Sequence, residues 1–285
     1  MAAAIGLLAL SAPAPSFSAS LEAVDVELVI ATDVSPSIDQ AEAHLQREGI
    51  VEAFLNPQVV QAIQAGSLGK IAVVYVDFSS REYNRIAVNW QVIKDKASAA
   101  AFAAKLRNAP PGFGRHTSIS DAIELGEFLL EGNNLEGTKK VIDISGDGPN
   151  NWGRQINLVR DQAVARHITI NGLPIVEEGG FGSYPDLDKY FSNCVIGGPA
   201  AFIVVAKGFQ DFARAIRNKL ILEIANDAPG NARANPLIMK IAAQPAAPRA
   251  QPLPRPQNTP TLNEKACGNA FGFGGFRGFD FPLSR

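Results

Sequence analysis

Apolar residues along this chain fall into two alternating patterns. Runs that are apolar almost throughout recur at 24–32 (VDVELVIAT), 69–79 (GKIAVVYVDFS), 138–146 (TKKVIDISG) and 168–176 (ITINGLPIV). Short apolar runs bounded by turn residues predict buried strands. Between and after them lie segments with apolar residues at helical spacing, at 39–55, 95–109, 117–131, 152–167 and 209–225. In the first of these, Ala43, Leu45, Ile50, Phe54 and Leu55 are expected on one buried face. The Pro110-Pro111-Gly112 run should stop the second helix. Residues 83–91 alternate weakly and predict a short edge strand, and 201–207 predict one more strand.

The resulting order is β-α-β-β-α-α-β-α-β-β-α. Strands without a polar face need covering on both sides, and alternation with helices supplies that cover. The expected fold is therefore α/β: a doubly wound, mainly parallel central sheet with helices on both faces, spanning about 22–225. Sheets of this kind carry their sites beyond the C-terminal strand ends, at the point where strand order reverses.

The two ends of the chain read differently. Residues 1–20 (MAAAIGLLALSAPAPSFSAS) contain no charged side chain and many small or apolar ones. Its longest apolar run is too short to span a bilayer, and the segment resembles a signal peptide with cleavage near Ala19, although a basic leading region is missing. The expectation is an exported protein, periplasmic or secreted, and not integral to a membrane after processing. From 226 to 285 nine of the 19 prolines occur, followed by a Gly/Phe-rich stretch, so this tail is expected to build no core. Only two cysteines are present, Cys194 and Cys267. In an oxidising compartment they could pair and clamp the tail to the domain. The net charge of -2, without a basic stripe, argues against nucleic acid as a partner.

Candidate chemistry concentrates at the strand ends. The first strand stops at Thr32, and Asp33, Ser35 and Ser37 follow at alternate positions. Thr117 lies in the loop before a helix, and Asp147 directly follows the third buried strand. In a parallel sheet, the ends of the first and third strands meet on one rim, and the Thr117 loop can reach it. Each residue also has an ordinary reading: Ser37 and Thr117 as helix N-caps, Asp147 as a turn residue. Taken together, two carboxylates and three hydroxyls form an oxygen-only donor set. That set suits a divalent cation, Mg²⁺ first, with Mn²⁺ or Ca²⁺ as alternatives. His116 and Arg115 adjoin Thr117, but a lone loop histidine is usually solvent-facing. Ser145 lacks the surroundings of a nucleophile elbow.

Asp33, Ser35, Ser37, Thr117 and Asp147 match, in identity and order, the metal-ion-dependent adhesion site of von Willebrand factor type A domains. The stretches KIAVVYVDFS, VIDISGDGPNN, ITINGLPI and CVIGGPAAF resemble a bacterial subgroup of exported proteins, the domain of unknown function 1194. The resemblance covers roughly 22–225. It implies that Ser35, Ser37 and Thr117 contact the ion through their hydroxyls, and that Asp33 and Asp147 act directly or through water. It also implies that an exposed carboxylate of a partner protein or ligand completes the coordination. Gly146 departs from the pattern, since many relatives carry Thr there. The leading expectation is thus a cation-dependent binding module, not an enzyme. A metal-assisted hydrolase, or a cation-stabilised domain whose tail binds the partner, are the alternatives.

Overall fold

The computed structural model describes residues 21–177, 184, 186–225 and 267. The leader at 1–20 and the tail, apart from Cys267, lie outside the described residues.

Among the described residues six strands form one sheet: β1 (Glu22–Asp33), β2 (Ile71–Phe78), β3 (Arg85–Ile93), β4 (Leu135–Gly146), β5 (Ile168–Val176) and β6 (Ala206–Lys207). Their spatial order is β3-β2-β1-β4-β5-β6. β3 runs antiparallel to β2 at the edge, and the other pairings are parallel. The strands without a polar face take the central positions. All eight residues of β2 and the last ten of β1 are buried, whereas edge strand β3 is only partly so.

Among the described residues seven α-helices cover the sheet: α1 (Gln40–Leu55), α2 (Pro57–Gln64), α3 (Lys96–Asn108), α4 (Ile119–Leu130), α5 (Ile156–Ala165), α6 (Leu187–Tyr190) and α7 (Phe212–Ala225). Successive β1 side chains divide between two cores, as the pleat requires. Val26, Leu28 and Ile30 pack with α1, α2, α3 and α7. Val29 and Ala31 pack with α4, α5 and the 187–195 segment on the other face. The doubly wound architecture expected from the sequence is therefore present.

Local departures have local causes. Leu55, expected on the buried face of α1, is 43% exposed, because it closes the helix on its outer side; Val51 and Ala53 are buried instead. Asn56 then caps a new helix with Pro57 at its first position, so α2 follows without a loop. The strand expected at 201–207 shrinks to Ala206–Lys207 plus a bridge from Ile203 to Gly172. The Phe202 N–H there donates to the Asn171 side chain instead of a strand backbone. Helix α5 begins at Ile156, not 152, since Gly153 adopts φ +80°. A π-helical turn at Phe191–Val195 had no sequence signal.

The two cysteines pair. Cys194 and Cys267 form a disulfide with Cα atoms 5.4 Å apart, and Cys267 packs against the α4/α5-side core. No helix among the described residues is long and apolar enough to cross a membrane.

Candidate metal centre

The strand order reverses between β1 and β4, which lie side by side with Thr32 opposite Ser145. Their C-terminal ends open the crevice where α/β sheets hold ligands. Asp33 ends β1 and is completely buried. Its Oδ1 accepts the Ser35 N–H at 2.8 Å, which curls the chain at the strand end; Asp33 and Ser35 are buried there and Ser37 is exposed at the rim. The Ser35 and Ser37 hydroxyls lie 3.1 Å apart. Ser37 Oγ then donates to Asp147 Oδ1 at 2.9 Å, joining segments 110 residues apart.

Thr117 completes the group. Its hydroxyl acts on the Asp33 carboxyl, and a Cβ placed on Gly148 would lie 3.9 Å from Thr117 Oγ1. The structure thus brings all five sequence-selected residues together. Neither suspected cap is one. Asp39 caps α1 in a capping box with Glu42, and Ser118 caps α4. The hydroxyls of Ser37 and Thr117 are therefore not used at helix N-termini, and both turn to the rim.

Three residues that sequence reasoning missed hold the Thr117 loop. Ser79, just beyond β2, accepts the N–H groups of Arg115 and His116 at 2.9 and 3.2 Å and donates to the His116 carbonyl. Asn151 exchanges a pair of bonds with Thr117: its Oδ1 accepts the Thr117 N–H, and its own N–H donates to the Thr117 carbonyl, both at 2.9 Å. Asn150 accepts the Ser120 N–H, and its backbone N–H donates to Tyr190 Oη, giving that tyrosine a role beyond packing. Hydroxyl and amide residues clustered after strand ends, as in DFSS and DGPNN, were the available signal. Lower down, Arg47 grips both oxygens of Asp77 at 3.0 Å and donates to the carbonyls of Ala109 and Pro110, tying the same loop to the sheet.

Electrostatics favour a cation here. Burial, then the nearby Asp147 carboxylate, push the Asp33 carboxyl up to about 8; bonds from Ser35 and Thr117 offset this only in part. Burial also raises Asp147. Asp33 Oδ2 accepts no hydrogen bond although it is buried. An orphaned carboxylate oxygen beside a second acid and three hydroxyls fits a hard cation. Among the described residues no group of three or more His, Cys, Asp or Glu could hold a metal, so an ion at this rim has to use the hydroxyls. Gly146 also finds its reason: a Cβ there would stand 3.1 Å from both Cβ and Oδ2 of Asp33. His116 stacks on Trp152 with ring centroids 4.3 Å apart, and Ser145 lies buried beneath the rim with its Oγ 3.4 Å from Thr32 Oγ1.

Comparison with known proteins agrees with this architecture. Residues 23–228 match the sequence profile of a family described as protein of unknown function (DUF1194). Similar solved structures include proximal thread matrix protein 1 from the mussel byssus, with TM-score 0.53, 16% identity, and coverage of 72% of this chain and 49% of that one. A second structure of that protein, described as having a zinc-occupied MIDAS motif, has TM-score 0.52, 16% identity and coverage of 70% and 46%. The pilus adhesin SpaC from Lactobacillus rhamnosus GG gives 0.52, 15%, 71% and 31%. A von Willebrand factor type A protein from Catenulispora acidiphila gives 0.50, 12%, 71% and 43%. The chain spans half or less of each of these proteins, and identities this low establish the fold alone. No curated protein sequence matches it.

Proposed function

The chain belongs to the DUF1194 family and carries the von Willebrand factor type A fold, and from that premise we propose that it is an exported binding module that grips an acidic group of a partner through a divalent cation. The observation that carries this reading is the cluster of side-chain oxygens drawn from distant segments: Asp33 Oδ1 holds the Ser35 N–H, the Ser35 and Ser37 hydroxyls adjoin, Ser37 donates to Asp147, and the Thr117 hydroxyl acts on Asp33. Ser35, Ser37 and Thr117 would hold the ion through hydroxyls, and Asp33 and Asp147 directly or through water. Hydroxyls are neutral ligands, so such an ion keeps positive charge with which to attract a carboxylate. The donor set contains no histidine or lysine to serve as an attendant base, which sets hydrolysis behind binding. Mg²⁺ is the first candidate; the zinc-occupied motif of the byssal protein widens the panel. Export draws support from the Cys194–Cys267 pair, since disulfides persist in oxidising compartments.

Calorimetry of the full chain with Mg²⁺, Mn²⁺, Ca²⁺ and Zn²⁺ tests the site. Saturable binding by at least one ion is expected, with loss of about tenfold or more in affinity in an Asp33→Ala/Asp147→Ala variant, the scale of one or two lost charged contacts. Equal binding by that variant would refute the assignment.

A further inference from the structure

We infer that the cavity beside the candidate ion site reads an amide of the ligand, so that the module's ligand is a short acidic peptide segment of a partner protein; this rests on the cation-binding reading above. The cavity measures about 530 Å³, within the usual size for ligand sites. Asp33, Ser35 and Pro36 line it where it meets the candidate ion site, and it continues between α1 and the 109–114 loop. Gln46, from the middle of α1, lines its wall and is 1% exposed, yet neither Oε1 nor Nε2 has a hydrogen-bond partner. A buried amide left unpaired on both sides is costly, and a polar group entering the cavity would relieve it.

The surrounding charges define that group. Arg47 and Arg107 also line the cavity, but Arg47 is bound to Asp77 and Arg107 to Glu48. A second carboxylate would find these cations already paired and, having no donor, would leave Gln46 Oε1 unpaired. An amide instead offers a donor and an acceptor side by side, the complement of the Gln46 amide once that side chain turns toward it. A carboxylate and an amide on one ligand point to a peptide, in which nearly every residue carries a backbone amide. Asp39, the α1 cap, and Gln46, seven positions further on, both line the cavity, and about three extended residues span the roughly 10 Å of helix between them. Phe113, 75% exposed at the cavity lip, offers an apolar surface to the segment's side chains.

The test uses the full chain loaded with Mn²⁺ and three probes: acetate, acetyl-Asp-Ala-Ala-amide and acetyl-Ala-Ala-Ala-amide. The acidic peptide should bind about five- to tenfold tighter than acetate, the effect of one well-made amide pairing, and the alanine peptide should not bind. A Gln46→Leu variant should keep its affinity for Mn²⁺ and acetate while losing the preference for the acidic peptide. If Mn²⁺ and acetate bind but the peptide gains nothing, or if Gln46→Leu keeps the preference, the amide subsite is overturned and the ion site stands. If Mn²⁺ does not bind, the ion reading falls and this inference falls with it.

Discussion

Replacing Lys219 by Met is expected to destabilise this domain more than most single changes. Lys219 lies on α7, fully buried, with Nζ 2.5 Å from Asp143 Oδ1 of β4 and 2.6 Å from Glu223 Oε1. The Phe202 ring centroid is 5.3 Å away, and Asn171 Nδ2 donates to the same Glu223 oxygen at 2.9 Å. Two acids thus share one cation in the core. Burial, then Glu223, push the Asp143 carboxyl up to about 7 against the pull of Lys219. Removing the lysine leaves both acids buried without a counter-charge, a loss of about 3–5 kcal/mol. That is a large part of the roughly 5–15 kcal/mol typical of a domain. The sign of the pH dependence follows from the raised Asp143. The folded state holds this proton more tightly than the unfolded chain, whose value is near 3.8. Stability from this group is therefore fully present at low pH and falls as pH rises from about 4 through about 7, by at most about 4 kcal/mol. Urea unfolding followed by tryptophan fluorescence at pH 5, 7 and 8.5 measures both effects. Asp143→Asn should flatten the pH slope, and adding it to Lys219→Met should recover part of the loss. A Lys219→Met variant within about 1 kcal/mol of the wild type, or a slope unchanged by Asp143→Asn, would refute the reasoning.

Two further outcomes are expected. The Cys194–Cys267 bond closes a loop with a sequence separation of 73 residues, so reduction or Cys267→Ser should cost about 4 kcal/mol on the chain-entropy account, read from urea midpoints with and without reductant; an unchanged midpoint would count against the bond. Asn151→Ala removes the side-chain acceptor that holds the Thr117 N–H, so it should cost about 1 kcal/mol of stability and weaken Mn²⁺ binding several-fold in calorimetry; undiminished affinity would show that Thr117 needs no such support.

Much of the fold is legible in residue order because burial on both faces leaves a plain mark. The continuous apolar runs of β1, β2, β4 and β5 admit no polar side, and the helical spacing between them sets the alternation. What escaped detection is stabilised by specific partners. Helix α2, only eight residues long, depends on the Asn56 cap and Pro57. The 201–207 run departs from a regular strand where an Asn171 side chain takes its N–H. The five rim residues were legible as types placed at strand ends, but Ser37 and Thr117 also read as helix caps, and only the fold puts Asp39 and Ser118 in those positions.

The sequence alone determined which strands are buried, that their ends carry two carboxylates and three hydroxyls, and that two cysteines were free to pair. Period and residue type are local properties, and a single chain displays them directly. The tertiary structure alone decided that Ser79 and Asn151 hold the Thr117 loop, that Gln46 lies unpaired beside a cavity, and that Lys219 is buried. Lys219 and Glu223, four residues apart on a helix, read as an ordinary surface pair. Their meaning depends on Asp143, 76 residues earlier on the neighbouring strand. Solvent exclusion and pairing are set by what folds against a side chain, and no local pattern records that.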